Sequence, residues 1–210
     1  MKLYDFSLAP NPRRVRMFLA EKGIEIPTQQ VDIRDREQFG EAFLAINPHS
    51  VVPVLELDDG TRIGESVAIC RYIEEQHPEP ALMGSDAKEK AVIEMWNRRA
   101  EFEGFGAAAE AVRNSLPLFE DRGAPGVPGG VPQIPALVGR GQQSMGRFFD
   151  KLDKQLAENG YVAGDAFSIA DITAFVAIEF GKRAEIEMPD SCPNVARWHE
   201  EMTARPSASA

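Results

Sequence analysis

The chain has 210 residues, 43% of them hydrophobic and 27% charged, and its 23 Lys and Arg against 33 Asp and Glu give a formal net charge of −10. That length and apolar share can build a packed core, or two small ones, without disulfides or a structural metal. The acidic balance repels phosphate backbones and excludes non-specific nucleic-acid binding, although a local basic pocket for a small anion is compatible with it.

Leu3 to Phe6 is a short apolar run that predicts a buried strand. Asn11-Pro12 predicts a helix start, with Asn as N-cap and Pro in the first helical position. Val15, Phe18 and Leu19 make that helix's buried stripe, and Gly23 its stop. Pro27 to Ile33 predicts a second strand, so the opening is a parallel βαβ unit with a right-handed crossover. A short helix around residues 41–45 carries Phe43 and Leu44 inward. Val51 to Leu57 and Thr61 to Ile63 flank Asp59-Gly60, a hairpin signal. A further helix starts near Ser66 and runs through Ile69 and Ile73 to Pro78. The order βαβ then ββα is the thioredoxin arrangement, over residues 1–77.

Residues 78–86, with Pro78, Pro80 and Gly84, predict a linker. No convincing strand follows, so residues 87–210 predict an all-helical domain. Its first helix is expected to run unbroken over residues 87–114. Others are expected near 136–159, 168–184 and 194–204. The Pro- and Gly-rich stretch 115–135 is too long for a simple connection, and such loops are usually functional or mobile.

Cys70 and Cys192 stand far apart, and His49, His77 and His199 share no ligand spacing. Reduced structural thiols, no metal and a cytoplasmic setting are the expectation. No apolar stretch reaches the length of a membrane span and no secretory leader is visible, so no membrane partner is expected.

Four short motifs could carry chemistry. Pro53 removes a ladder donor from a strand pattern. It is either an ordinary trans edge proline or a cis one that turns the Val52 N–H and C=O toward a peptide-like ligand. Glu65-Ser66 opens a helix. It either merely caps that helix or receives a carboxylate at the dipole end with an amine beside Glu65. At Ala9-Pro10-Asn11-Pro12 a thiolate would gain from a helix N-terminus and from Asn11 Nδ2, or the segment is simply a helix start. Ser168 and Asp171 make a capping box and carry no chemistry.

Taken in order, Asn47-Pro48, Val52-Pro53-Val54-Leu55, Glu65-Ser66 and the Ser168/Asp171 box resemble the soluble glutathione transferase family over essentially the whole chain. The resemblance implies a thioredoxin-like N-terminal domain plus an all-α C-terminal domain. It implies that Val52 and cis-Pro53 meet the cysteinyl backbone of glutathione, Glu65 and Ser66 its γ-glutamyl end, and Gln38 its glycine carboxylate. Family members often carry a polar residue before the Val-Pro pair, and Val51 lacks that hydrogen bond.

The usual catalytic Ser falls on Ala9, and no Cys replaces it. The chain looks closest to the atypical fungal and bacterial members without the usual Tyr, Ser or Cys, where side chains of the second domain help a water activate the thiol. The ranked catalytic candidates are therefore Asn11, Ser7 and Arg113. A pocket for an apolar electrophile is expected at Phe105, Val112, Asn114 and Ser115, with Phe102 as core. Conjugation is the implied reaction, with peroxidase activity toward organic hydroperoxides fitting the same site. Ala9 and Val51 favour the alternative, a glutathione-binding protein without turnover. A detoxifying homodimer is implied, with Val92, Met95 and Trp96 available to it, and no cofactor beyond glutathione as co-substrate.

Overall fold

The computed structural model describes all 210 residues. Its first part contains β1 (Lys2–Asp5), α1 (Pro10–Lys22), β2 (Thr28–Gln30), α2 (Glu41–Leu44), β3 (Val54–Glu56), β4 (Arg62–Gly64) and α3 (Ser66–Gln76). The strands form one mixed sheet in the order β2-β1-β3-β4. Strand β1 runs parallel to β2, with Leu3 opposite Thr28, and antiparallel to β3, with Leu3 opposite Leu55. The parallel pair follows from the α1 crossover, and the β3–β4 pair from the turn at Gly60, whose φ of 85° suits glycine.

Gly23 ends α1 in the left-handed conformation and returns its N–H to Ala20 and Leu19 carbonyls, as its place after the apolar stripe predicts. The start of α1 differs from expectation. The cap is Ala9, extended at φ −87° and ψ 137°, and the helix begins at Pro10. Proline's fixed φ suits the first helical position, so Asn11 lies inside the first turn. Its side chain is thereby released from capping.

The second part is helical: α4 (Ala87–Arg99), α5 (Gly106–Ser115), α6 (Ala136–Glu158), α7 (Ile169–Gly181) and α8 (Pro193–Thr203). The expected single helix over 87–114 is interrupted by a π-helical turn at Ala100–Phe105. Here Gly104 lies against the Phe148 ring so closely that a Cβ would sit 2.8 Å from it. Gly141 of α6 likewise meets the Ala107 carbonyl of α5, at 2.6 Å for an added Cβ. Small residues thus let α6 press onto both segments.

Helix α7 is buried almost all round and forms the centre of the molecule. The Ser168/Asp171 capping box is present, and Asp171 also accepts from Val162 N–H and Trp198 Nε1, each at 2.9 Å. Full burial pushes the Asp171 carboxyl up to about 6, against the pull of these donors. One continuous apolar core joins α1 and α3 to α7, so the sheet-bearing and helical parts hold each other in place. Trp96, available in the sequence for a partner, is buried in this core, whereas Met95 remains exposed and Val92 half-buried. No helix is long and apolar enough to cross a membrane.

Candidate functional site

A cleft of about 520 Å³ lies between the start of α1, the loops entering β3 and α3, and the facing surfaces of α5 and α7. On one wall the Val52–Pro53 peptide is cis. The Val52 N–H and C=O have no partner within the protein, which leaves one peptide edge able to pair with an extended ligand. Beside it, Ser50 holds φ 55° and is 3% exposed, and its hydroxyl has no partner. Asn47 sets this turn by donating to the Val51 carbonyl at 2.8 Å and accepting from His49 N–H at 3.0 Å. Gln38, in a short 3₁₀ turn, is also buried on the cleft with its Oε1 unpaired. Two buried polar groups without partners on one wall mark a surface built to receive polar atoms.

At the second wall Glu65 precedes α3 with φ 63° and ψ 123°. Such a conformation for a residue with a Cβ costs about 1–3 kcal/mol. The first N–H groups of α3 have no side-chain cap, and Glu65 and Ser66 line the cleft, so this helix start is open to an anion. Ser66 departs from expectation. Its hydroxyl donates to the Asn11 carbonyl at 3.1 Å, so it ties the starts of α1 and α3 together. An incoming carboxylate would meet backbone N–H groups here rather than the hydroxyl proton.

Asn11 faces the cleft between these walls. Its Oδ1 accepts from Arg14 Nη1 at 3.3 Å, and its Nδ2 has no partner. Arg14 is buried and also donates to Glu101 at 2.9 Å and Thr173 Oγ1 at 3.0 Å. Burial lowers its pKa to about 10, so it remains a cation at neutral pH. Glu101 comes from the π-helical turn, which gives that irregularity a role: it brings a carboxylate to Arg14. Cys70 lies behind this group, and burial pushes its thiol up to about 12, so it does not serve as a nucleophile, and no cysteine lines the cleft.

The segment 115–135 crosses the cleft and touches both sides. Arg122 donates to the Ile33 carbonyl at 3.0 Å and the Arg34 carbonyl at 3.2 Å. Gly126, at φ 71°, packs so close to the His49 carbonyl that a Cβ would lie 2.6 Å from it. Arg113 holds the root of this strap by donating to the carbonyls of Arg122, at 2.5 Å, and Gly123, at 3.4 Å. Arg113 therefore reaches the cleft with Nε and Nη2 bracing the strap and with Nη1 free to donate.

Other expected site residues lie elsewhere. Val112 is fully buried in the core, because α5 turns that face to α6 and α7. Asn114 is buried beneath the strap, where it donates to the Glu110 carbonyl at 2.8 Å and accepts from Ile134 N–H at 2.7 Å. Ser115 ends α5 and does not line the cleft. Ser7 is exposed, pairs its N–H with Gln30 Oε1 at 2.9 Å, and lines a smaller neighbouring cavity. Phe102, expected in the core, is 69% exposed.

Phe105 does line the cleft and stacks on Phe180 with centroids 5.8 Å apart. Arg183 lies over the Phe180 ring, 5.6 Å from its centroid. Sequence reading missed Ser50, Arg14, Arg122, Phe180 and Arg183. Only the arginine before an apolar Val15 offered a signal, as a charge on the stripe side of α1.

Comparison with known proteins accords with this geometry. The family model described as glutathione S-transferase, N-terminal domain, matches residues 9–76, and the one described as glutathione S-transferase, C-terminal domain, matches residues 132–206. Glutathione S-transferase 2 of Saccharomyces cerevisiae is 35% identical over 99% of this chain and 87% of its own length. Glutathione S-transferase 3 of Zea mays is 30% identical over 99% of this chain and 90% of its own. Among solved structures, a glutathione S-transferase domain-containing protein of Marinobacter aquaeolei superposes with a TM-score of 0.90 at 37% identity, covering 99% of both chains. Gtt2 of Saccharomyces cerevisiae also gives 0.90, at 34% identity, covering 99% of this chain and 98% of that one.

Proposed function

The chain belongs to the glutathione S-transferase family of enzymes, and from that premise we propose that it binds glutathione in this cleft and conjugates its thiolate to electrophiles with an apolar body. The observation that carries the reading is the convergence of an unpaired peptide edge at Val52, the open N-terminus of α3 at Glu65 and Ser66, and the start of α1 at Asn11. An extended γ-linked tripeptide has a backbone for the first, a carboxylate and amine for the second, and a thiol for the third. Gln38 and Ser50 supply buried polar atoms for its remaining end. Glutathione binding is assigned to residues 1–77 and the electrophile side to residues 87–210, joined by 78–86.

Activation needs no covalent residue, because the substrate sulfur is the nucleophile. A free thiol titrates near 8.5, and lowering that by about two units contributes roughly 2.7 kcal/mol toward the anion. The α1 N-terminus, the Asn11 Nδ2 donor and the buried Arg14 charge behind it all favour the thiolate. Asn11 thus stands in for the hydroxyl that Ala9 cannot supply, which weakens the alternative of binding without turnover. The same thiolate can attack the outer oxygen of an organic hydroperoxide, and an alcohol leaves. A second glutathione then forms the disulfide and releases water.

A cytoplasmic homodimer with no metal is the proposed working form. Calorimetry with glutathione, together with a chlorodinitrobenzene conjugation assay, tests the function. Binding with saturable conjugation is expected. Absence of binding, or binding with conjugation no faster than the uncatalysed reaction, overturns it.

A further inference from the structure

The cleft is cationic within an acidic protein. Five arginines line it (Arg34, Arg36, Arg113, Arg122 and Arg183) against two carboxylates, Glu65 and Asp121, a net +3 where the whole chain carries −10. Asp32 neutralises Arg34 and reduces this to +2, and bound glutathione in its thiolate form, with two carboxylates, one ammonium and one sulfur anion, brings −2, so what matters is where each remaining cation stands.

The arginines are not equivalent. Arg34 pairs with Asp32 at 2.5 Å and belongs to the loop next to Gln38; Arg36, in the same loop, has no hydrogen-bond or ion-pair partner, but it stands beside Gln38, on the side assigned above to glutathione rather than to the electrophile. Arg113 and Arg122 direct donors to backbone carbonyls of the strap and of the Ile33–Arg34 segment. Arg183 is different. Only its Nη2 is engaged, with the Leu8 carbonyl at 3.1 Å, and no carboxylate lies within ion-pair distance of it. It stands beside the stacked Phe105 and Phe180 rings, at the end of the apolar wall. Nearby Glu179 is held by Lys182 at 2.6 Å and His199 at 2.8 Å and so does not neutralise it.

Resting on the conjugation reading above, we propose that Arg183 sets substrate class: the electrophile carries an anionic group, a carboxylate or its equivalent, on a flat apolar body. The body lies against Phe105 and Phe180, and the anion meets the free N–H groups of the Arg183 guanidinium, whose fork suits a carboxylate. Because Arg183 is exposed, its desolvation cost is small and its field also draws anions to the mouth of the cleft.

The test uses a matched pair, chlorodinitrobenzoate and its neutral carboxamide. In each, the thiolate attacks the carbon bearing chlorine, a C–S bond forms, the C–Cl bond breaks and chloride leaves. Each kcat/KM is divided by the uncatalysed rate constant with glutathione. The intact enzyme is expected to favour the benzoate by about tenfold. This ratio should fall toward one in R183M, be partly kept in R183K, and shrink with added salt, while the KM for glutathione stays put. Equal normalised rates for the two substrates, or a preference that survives in R183M, overturns the proposal and leaves conjugation standing. Turnover of neither, with glutathione bound, overturns conjugation as well.

Discussion

Arg14 Nη1 lies 3.3 Å from Asn11 Oδ1, and this single contact orients the Asn11 amide. A guanidinium has only donors, so the amide must present its oxygen to Arg14 and its NH₂ to the cleft. If that NH₂ holds the sulfur, N11A should lower kcat/KM for conjugation by about tenfold to a hundredfold, the worth of one donor to an anion. N11D should be worse than N11A, since a carboxylate repels a thiolate. Steady-state kinetics on the two variants checks both the size and the order.

Arg14 itself should matter for stability as well as for activity. Its partners Glu101 and Thr173 are drawn from the π-helical turn and α7, so R14M leaves Glu101 without its buried cation. Glu101 is partly exposed and keeps Arg98, so the expected loss is about 1–3 kcal/mol, and R14K should recover part of it. Urea unfolding of the variants measures this.

The strap should control glutathione retention more than folding. R122A removes both hydrogen bonds to the Ile33 and Arg34 carbonyls. G126A forces a Cβ against the His49 carbonyl at a positive φ. Each is expected to raise the glutathione Kd by about fivefold to tenfold, through faster release, at a stability cost of about 1 kcal/mol for R122A and about 1–3 kcal/mol for G126A. Stopped-flow dissociation and thermal melts separate the two effects.

Glu179 links α7 to α8 through His199, and that hydrogen bond chiefly draws its carboxyl down to about 2. A folded-state value below the ordinary 4.5 means stabilisation that is fully present above about pH 4.5 and is lost as pH falls toward 2. The site is half-exposed, so screening reduces the contribution to about 1 kcal/mol. E179Q should therefore be less stable than the parent at pH 7, and the gap should close as pH falls through that window. Denaturant midpoints at several pH values give the answer.

Much of this was legible from local chemistry. Gly23, the Asp59-Gly60 turn and the Ser168/Asp171 box each act within a few residues, and each stands where its sequence predicts. The motifs at Val52-Pro53 and Glu65-Ser66 were visible too, and the structure brings both to one cleft. What escaped depends on tertiary partners. Whether Val112 faces core or cleft is decided by the small residues that let α6 close on α5. Arg14 is meaningful only because Glu101 and Thr173 reach it from segments far along the chain. The strap's contacts at Ile33 and His49 have no local signature at all.

The most direct test is an ultraviolet titration of the thiolate in the enzyme–glutathione complex. If the sulfur sits at the start of α1 beside Asn11, the bound thiol should titrate about two units below its solution value of roughly 8.5, and N11A should return it about one unit upward. A bound thiol that titrates as it does in free solution would contradict the placement of the sulfur, and with it the mechanism built on that place.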